Sequence, residues 1–166
     1  DFIFRLRELE QMDMEVFFNP AKINEVEKWD QVKDYKLQLY LLTDKTIHSI
    51  SCDEAVGKKI VSGKLIAYWL ARAQQFFHSL NIPLEKIRFR ELEHEARAFY
   101  AAETWDLEVK MDENWVELAA CNYRTDYDLK SHGNESKQDL SVREEGTPEK
   151  FIPHIYLKDS PFPANF

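Results

Sequence analysis

The segment from Trp105 to Tyr123 commits the chain to a sheet. Trp105, Leu107, Val109 and Met111 alternate with Asp106, Glu108 and Lys110, Asp112-Glu113-Asn114 reads as a turn, and Trp115 to Tyr123 returns as a second strand. Strands joined by so short a connection pair antiparallel. Lys64 to Asn81 has the other period. Leu65, Ile66, Trp69, Leu70, Ala73, Phe76, Phe77 and Leu80 recur at three and four residues and make one wide apolar helical face, while Lys64, Arg72, Gln74, Gln75 and Ser79 lie largely off it. A face of that width belongs in a core, and Asn81-Ile82-Pro83 ends the helix.

The remaining segments follow from the same signals. Phe2 to Phe18 alternates apolar and charged residues as a strand that Asn19-Pro20 breaks. Ile23, Val26, Trp29, Val32, Leu37, Leu39, Tyr40 and Leu41 give an irregular helical pattern, which predicts one or two helices up to about Asp44. Cys52 to Val61 is expected to be a short helix closed near Gly63, and Ile87-Arg88-Phe89-Arg90 a strand. Glu93 to Ala102 is expected to be helical. Thr125 serves as the N-cap of a helix over 126–132 that Gly133 stops, the polar run Asn134 to Lys150 is expected to be a loop, and Phe151 to Leu157 is the last strand. Strands and helices arrive in blocks with hairpins among them, so the expected class is α+β, an antiparallel sheet flanked by helices.

At 166 residues the chain is one domain by size, with a core burying about 70% of the unfolded surface. A net charge of −8 and a pI near 5.2 exclude a surface built for general nucleic-acid binding, which works by neutralising phosphates with Lys and Arg. Cys52 and Cys121 lie far apart without spaced His or Cys partners, so neither a zinc site nor a disulfide framework is expected, and a reducing cytoplasm fits. No apolar run reaches about 18 residues and no signal peptide precedes Phe2, which argues against membrane insertion and secretion. His48, His78, His94, His132 and His154 lack the spacing of a zinc-protease helix, and with four glycines there is no phosphate loop or dinucleotide fingerprint.

On the opening strand a period of two places Arg5 and Arg7 side by side on one face with Ile3 and Leu9, and Phe2, Phe4, Leu6 and Glu8 on the other. Paired guanidinium groups on a strand suit an anionic ligand such as a phosphate or carboxylate. The run from Arg5 to Phe18, RLRELEQMDMEVFF, resembles the second strand of motif 2 in glycyl-tRNA synthetases, class II enzymes with a pattern close to FRxREFEQMExEFF there. A second block is similar to the family's central catalytic segment in order and spacing. It comprises Ile87-Arg88-Phe89-Arg90-Glu91, His94-Glu95, Phe99-Tyr100-Ala101, Trp105-Asp106-Leu107-Glu108, Trp115-Val116-Glu117-Leu118 and Arg124 to Leu129. The resemblance covers most of positions 2 to 132. It implies a partial class II catalytic domain over 1–166, with a mainly helical insertion at about 20–85.

The implied chemistry is activation of glycine by ATP, with Mg2+ in the substrate complex, and transfer to tRNA(Gly), in a protein expected to be a cytoplasmic homodimer. Attack of a carboxylate on the α-phosphate brings two anions together, and arginines neutralise the charge that builds on phosphorus. By the resemblance Arg5 and Arg7 are the catalytic pair, and Phe4, Arg5, Leu6, Arg7, Glu8 and Leu9 with Glu117 and Leu118 contact ATP. Glu117 is positioned to hold ribose or magnesium. Leu9, Glu10, Gln11, Met12 and Asp13 line the glycine pocket, where carboxylates grip the ammonium group of a substrate that has no side chain. Arg124, at a strand-to-helix junction, either orients the end of the sheet or reaches substrate.

The departures from the family are as specific as the matches. Asp13 stands where the family generally has Glu, which draws the carboxylate back by about one methylene. The strand beginning Phe151-Ile152-Pro153 runs in the family to Glu-Pro-Ser and motif 3, but here into Leu157-Lys158-Asp159-Ser160-Pro161, without the Glu that serves as a second glycine ligand. Motif 1, the first strand of motif 2 and motif 3 are not found in the chain. Two readings follow: a piece of a glycine-activating synthetase, inactive in isolation, or a synthetase-like accessory or binding protein that has lost the reaction.

Overall fold

The structure, a computed structural model, describes residues 13–93, 100–146 and 149–159. Nine strands and three helices are assigned among them: β1 (Met14–Phe18), β2 (Lys36–Leu41), β3 (Thr46–Ser51), α1 (Cys52–Gly57), α2 (Lys64–Ser79), β4 (Ile87–Glu91), β5 (Glu103–Met111), β6 (Asn114–Thr125), α3 (Tyr127–Ser136), β7 (Val142–Arg143), β8 (Lys150–Phe151) and β9 (His154–Asp159). Seven strands form one sheet in the order β1-β9-β6-β5-β4-β2-β3, and β7 pairs with β8 as a separate ribbon. The fold is α+β. Neighbours in the large sheet are antiparallel except at one junction, where β2 runs parallel to β4 with Leu39 beside Phe89. The sheet is therefore mixed rather than purely antiparallel. A parallel pair needs a crossover, and here β3, α1 and α2 supply it.

The largest difference from the sequence reading lies between Ile23 and Asp44. In place of one or two helices there are two short 3-10 turns, Pro20–Lys22 and Trp29–Gln31, and then the β2–β3 hairpin. The segment 20–85 thus adds two strands to the main sheet as well as its helices. Lys36–Leu41 alternates in burial, with Leu37 and Leu39 at 0% exposure, so the period there is two. Further along, the helix after β6 runs through Gly133 to Ser136, and Thr125 is the last residue of β6 with a positive φ of 55° rather than an N-cap. The 134–150 region carries the end of that helix and strand β7, and Pro153 separates β8 from β9. The expected helix over Glu93 to Ala102 falls mostly outside the described residues.

The core sits between one face of the sheet and the two helices of the crossover. Leu37, Leu39, Ile87, Phe89, Trp105, Leu107 and Cys121 from the strands meet Ile66, Ala67, Leu70 and Ala71 of α2 and Ala55 of α1. Full burial of side chains of this size contributes about 1.5–3 kcal/mol each. Glu103 is buried here too. Its carboxylate accepts from the indole Nε1 of Trp105 at 2.6 Å and from the backbone N–H of Ser62 at 3.0 Å, tying β5 to the loop ahead of α2. Neither cysteine is bonded to another, and burial pushes the Cys52 thiol up to about 12, so it behaves as a small apolar side chain.

Two residues of α2 exchange the places that periodicity assigns them. Phe76 is 47% exposed, although it falls on the expected apolar face, and Trp69 is partly buried. Gln74, expected off that face, is 0% exposed: its Oε1 accepts from the backbone N–H of Gln38 at 3.0 Å and its Nε2 donates to the Lys36 carbonyl at 2.9 Å. Gln74 stands in for a strand neighbour at a stretch of β2 that faces the helix. Replacing Gln74 with Leu strands a donor and an acceptor inside the protein and is expected to cost about 2–4 kcal/mol. Phe76→Ser should cost under about 1 kcal/mol. Denaturant midpoints of the two variants in the 166-residue chain provide the check, and equal losses would contradict the assigned role of Gln74.

Candidate functional site

The face of the sheet opposite the helices is polar; along β5 it is buried, and on the flanking strands β4 and β6 it is mostly half-buried. Register decides which side chains it carries. Ile87, Phe89, Leu107 and Val109 face the core, so Arg88 and Arg90 of β4 and Thr104, Asp106 and Glu108 of β5 face the other way. On β6 strict alternation would place Glu117 on the core face with Ala119 and Cys121. It does not, because the pairing slips by one residue: Leu107 is opposite Ala119 while Glu108 is opposite Glu117, leaving Leu118 as the extra residue of a β-bulge. The bulge turns Glu117 and Trp115 onto the polar face. Leu118 instead packs against the hydrophobic core and, with Val109 and Val116, lines a cavity of about 470 Å³. Of the two residues expected to contact ATP here, Glu117 is thus on the polar face and Leu118 is not.

On this face the charges are paired at close range. Glu108 accepts from Arg88 through Oε2, at 2.7 Å from Nε and 2.6 Å from the terminal nitrogen, and from Arg90 Nε through Oε1 at 2.7 Å. Arg90 donates in addition to Asp106 Oδ2 at 2.8 Å. The Arg88 guanidinium lies between two rings, 4.4 Å from the centroid of Tyr40 and 4.1 Å from that of Trp115. Beside this network Thr104 Oγ1 donates to Asn122 Oδ1 at 2.8 Å across the β5–β6 pair. Burial raises the Asp106 carboxyl to about 6, and the neighbouring Glu117 and Glu108 add to the rise against the pull of Arg90. As sequence, Asp106, Glu108, Arg88 and Arg90 stand out only as strand positions and as part of the family resemblance, not as a charge network. Their signal was available: Arg-x-Arg on one strand and Asp-x-Glu on the next form opposed charge pairs once the strands are adjacent.

Arg124, next to last in β6, has its Nε 2.6 Å from Asp128 Oδ2 in α3 and its guanidinium 4.0 Å from the centroid of Tyr100. The first contact ties β6 to α3, and the second ties it to the segment ahead of β5. Nearby, the Tyr123 hydroxyl hydrogen-bonds His154 Nδ1, joining β6 to β9, and burial lowers the His154 pKa. Of the residues expected on the opening strand, Phe4, Arg5, Leu6, Arg7, Glu8, Leu9, Glu10, Gln11 and Met12 lie outside the described residues. Asp13 is described and exposed, one residue before β1. No group of three or more potential metal ligands occurs among the described residues.

The raised carboxyl has a definite consequence for pH. Asp106 holds its proton more tightly in the folded chain than in the unfolded one, so its contribution to stability is complete below about pH 4 and is lost as pH rises through about 6. Asp106→Asn removes that dependence. Between pH 4 and pH 7 the stability of the variant relative to the parent should rise by on the order of 2–3 kcal/mol. Urea unfolding at a series of pH values measures the difference, and parallel profiles for variant and parent would contradict the assignment.

No family model matches the chain. Curated relatives do match, and in number. The chain is 41% identical over 147 residues to the glycine–tRNA ligase of Pyrococcus furiosus and 42% identical over 147 residues to that of Pyrococcus abyssi. It is 36% identical over 144 residues to that of Methanothrix thermoacetophila. Each match takes in 84% of the chain but only 25% of the relative, so the chain spans about a quarter of the length of these enzymes. Identity of this extent places the chain in the glycyl-tRNA synthetase family, as a segment about a quarter of the length of these relatives.

Proposed function

We propose that the protein to which this segment belongs is a glycine–tRNA ligase: it activates glycine with ATP to glycyl-adenylate, releasing pyrophosphate, and transfers the glycyl group to tRNA(Gly). The observation that carries this reading is the identity of 36–42% to glycine–tRNA ligases over 84% of the chain. The polar sheet face supports it, since a bulge turns Glu117 away from the core and toward a set of fixed charges. ATP enters as its Mg2+ complex. Arg5 and Arg7 neutralise the phosphate at which glycine attacks, and Phe4, Leu6, Glu8 and Leu9 complete the strand along the nucleotide. Glu117 holds the ribose or the magnesium ion. Glu10, Gln11, Met12 and Asp13, with Leu9, shape the amino-acid pocket, where the Asp13 carboxylate receives the ammonium group. Arg124 either keeps the strand-to-helix junction in register or reaches substrate.

The full-length protein is read as a cytoplasmic class II enzyme acting as a homodimer, and the 166-residue chain alone as inactive. A second reading, a synthetase-like binding protein without catalysis, is favoured by one observation: Leu157 to Ser160 replaces the family's Glu-Pro-Ser. Glycine-dependent ATP–pyrophosphate exchange by the full-length protein decides between them. Exchange is expected, and Arg5→Ala should lower it by about two orders of magnitude, since a charge-assisted contact to the reacting phosphate is worth roughly 3 kcal/mol. An active parent indifferent to the substitution would refute the role of Arg5. No exchange in the full-length protein would favour the binding-protein reading.

A further inference from the structure

One guanidinium joins four strands on the polar face. Arg88 of β4 is bound to Glu108 of β5 and sandwiched between Tyr40 of β2 and Trp115 of β6, with only 13% of its side chain exposed. Two of these partners flank Glu117. Glu108 is its register partner across the β5–β6 pair, and Trp115 precedes it by two residues on the same face of the same strand. We propose that Arg88 is a positioning residue for nucleotide binding, acting through Glu108 and Trp115 to hold the Glu117 carboxylate in place at the bulge; this rests on the ATP-contacting role of Glu117 set out above.

Carboxylates directly opposite one another on paired strands repel. Glu108 and Glu117 are such a pair, and with Glu108 buried and Glu117 half-buried, water screens them less than at an exposed strand. Arg88 and Arg90 each take one oxygen of Glu108, so the charge facing Glu117 is neutralised from the β4 side and the two acids tolerate the same register. The stacking adds what charge alone cannot. A bulge loosens the ladder locally, and Trp115 lies just ahead of it on β6. With its indole pressed on a guanidinium that β4 and β5 already fix, the strand cannot slide or twist at that point without breaking the stack. Lysine could supply the charge, but it has no plane to place between two rings and no fork for a carboxylate.

The test is steady-state ATP–pyrophosphate exchange in the full-length protein with Arg88→Lys, Trp115→Leu and Glu117→Gln, singly and combined. Arg88→Lys is expected to raise KM for ATP about tenfold and leave KM for glycine within about twofold. Trp115→Leu, which leaves every charge in place, is expected to shift the same constant in the same direction, and it supplies the reading should Arg88→Lys not fold. If Arg88 acts through Glu117, adding Arg88→Lys to Glu117→Gln should cost little beyond the worse single change. A merely structural role lowers the active fraction, and with it kcat, while both KM values stay put; that pattern, or full additivity in the double variant, overturns the inference and leaves the ligase reading intact. A parent without glycine-dependent exchange overturns both.

Discussion

The one-residue slip between β5 and β6 is the constraint on which the rest of the polar face depends. Before it, pairing sets Val116 against Val109 and Glu117 against Glu108; after it, Ala119 meets Leu107 and Cys121 meets Trp105. The strand thereby keeps apolar residues on the core face along its whole length while presenting an acid and an aromatic on the other side near its start. Had the alternation run on unbroken, Glu117 would point among Leu107, Cys121 and the helix α2, where an unpaired carboxylate costs several kcal/mol. The bulge thus resolves a conflict between what folding needs from β6 and what the opposite face needs.

Folding itself is served by the other side of the sheet. Strand β5 is buried on both faces from Glu103 to Val109, yet only one face of the sheet there is filled with Ile87, Phe89, Trp105, Leu107 and Val109. On that side single polar groups act as fasteners: Gln74 caps the parallel-paired strand β2, and Glu103 anchors both Trp105 and Ser62. Each has its partners within hydrogen-bond distance, as groups at under a tenth of full exposure must.

The parts of this architecture that were legible in the sequence are those in which period and burial agree. The β5–β6 hairpin and helix α2 each repeat one period long enough to exclude the other, and both stand within two residues of the expected limits. The β2–β3 hairpin was not legible, because Leu37, Leu39, Tyr40 and Leu41 fit a short strand or part of a helix equally well, and only the pairing with Ser51 to Thr46 decides. Gly133 misled for a related reason: it stops helices by lacking a Cβ, yet it also tolerates an interior position where the backbone carbonyl of Gln138 lies 3.0 Å from where that Cβ would stand. At the candidate site the resemblance names residues, but their geometry is not readable from it. Glu117 could be singled out by its match to a family segment, but its face depends on a bulge that no local pattern announces.

The cost of the polar face bears on what it is for. Arg88, Asp106 and Glu108 are nearly removed from water, and the desolvation of such groups commonly cancels the attraction between them, so that apolar substitutes of similar volume would stabilise a fold as well or better. A sheet shaped by stability alone would carry on this side what it carries on the other. It carries instead two arginines that share one glutamate, a cation held between two rings, and a strand bent to bring a further acid to the same surface. Fixed charges in a partly dry setting act on a charged ligand with little reorganisation, which is the property a nucleotide site requires and a structural sheet does not. On the ligase reading proposed above, the burial that weakens this network as a source of stability is what suits it to hold a charged ligand.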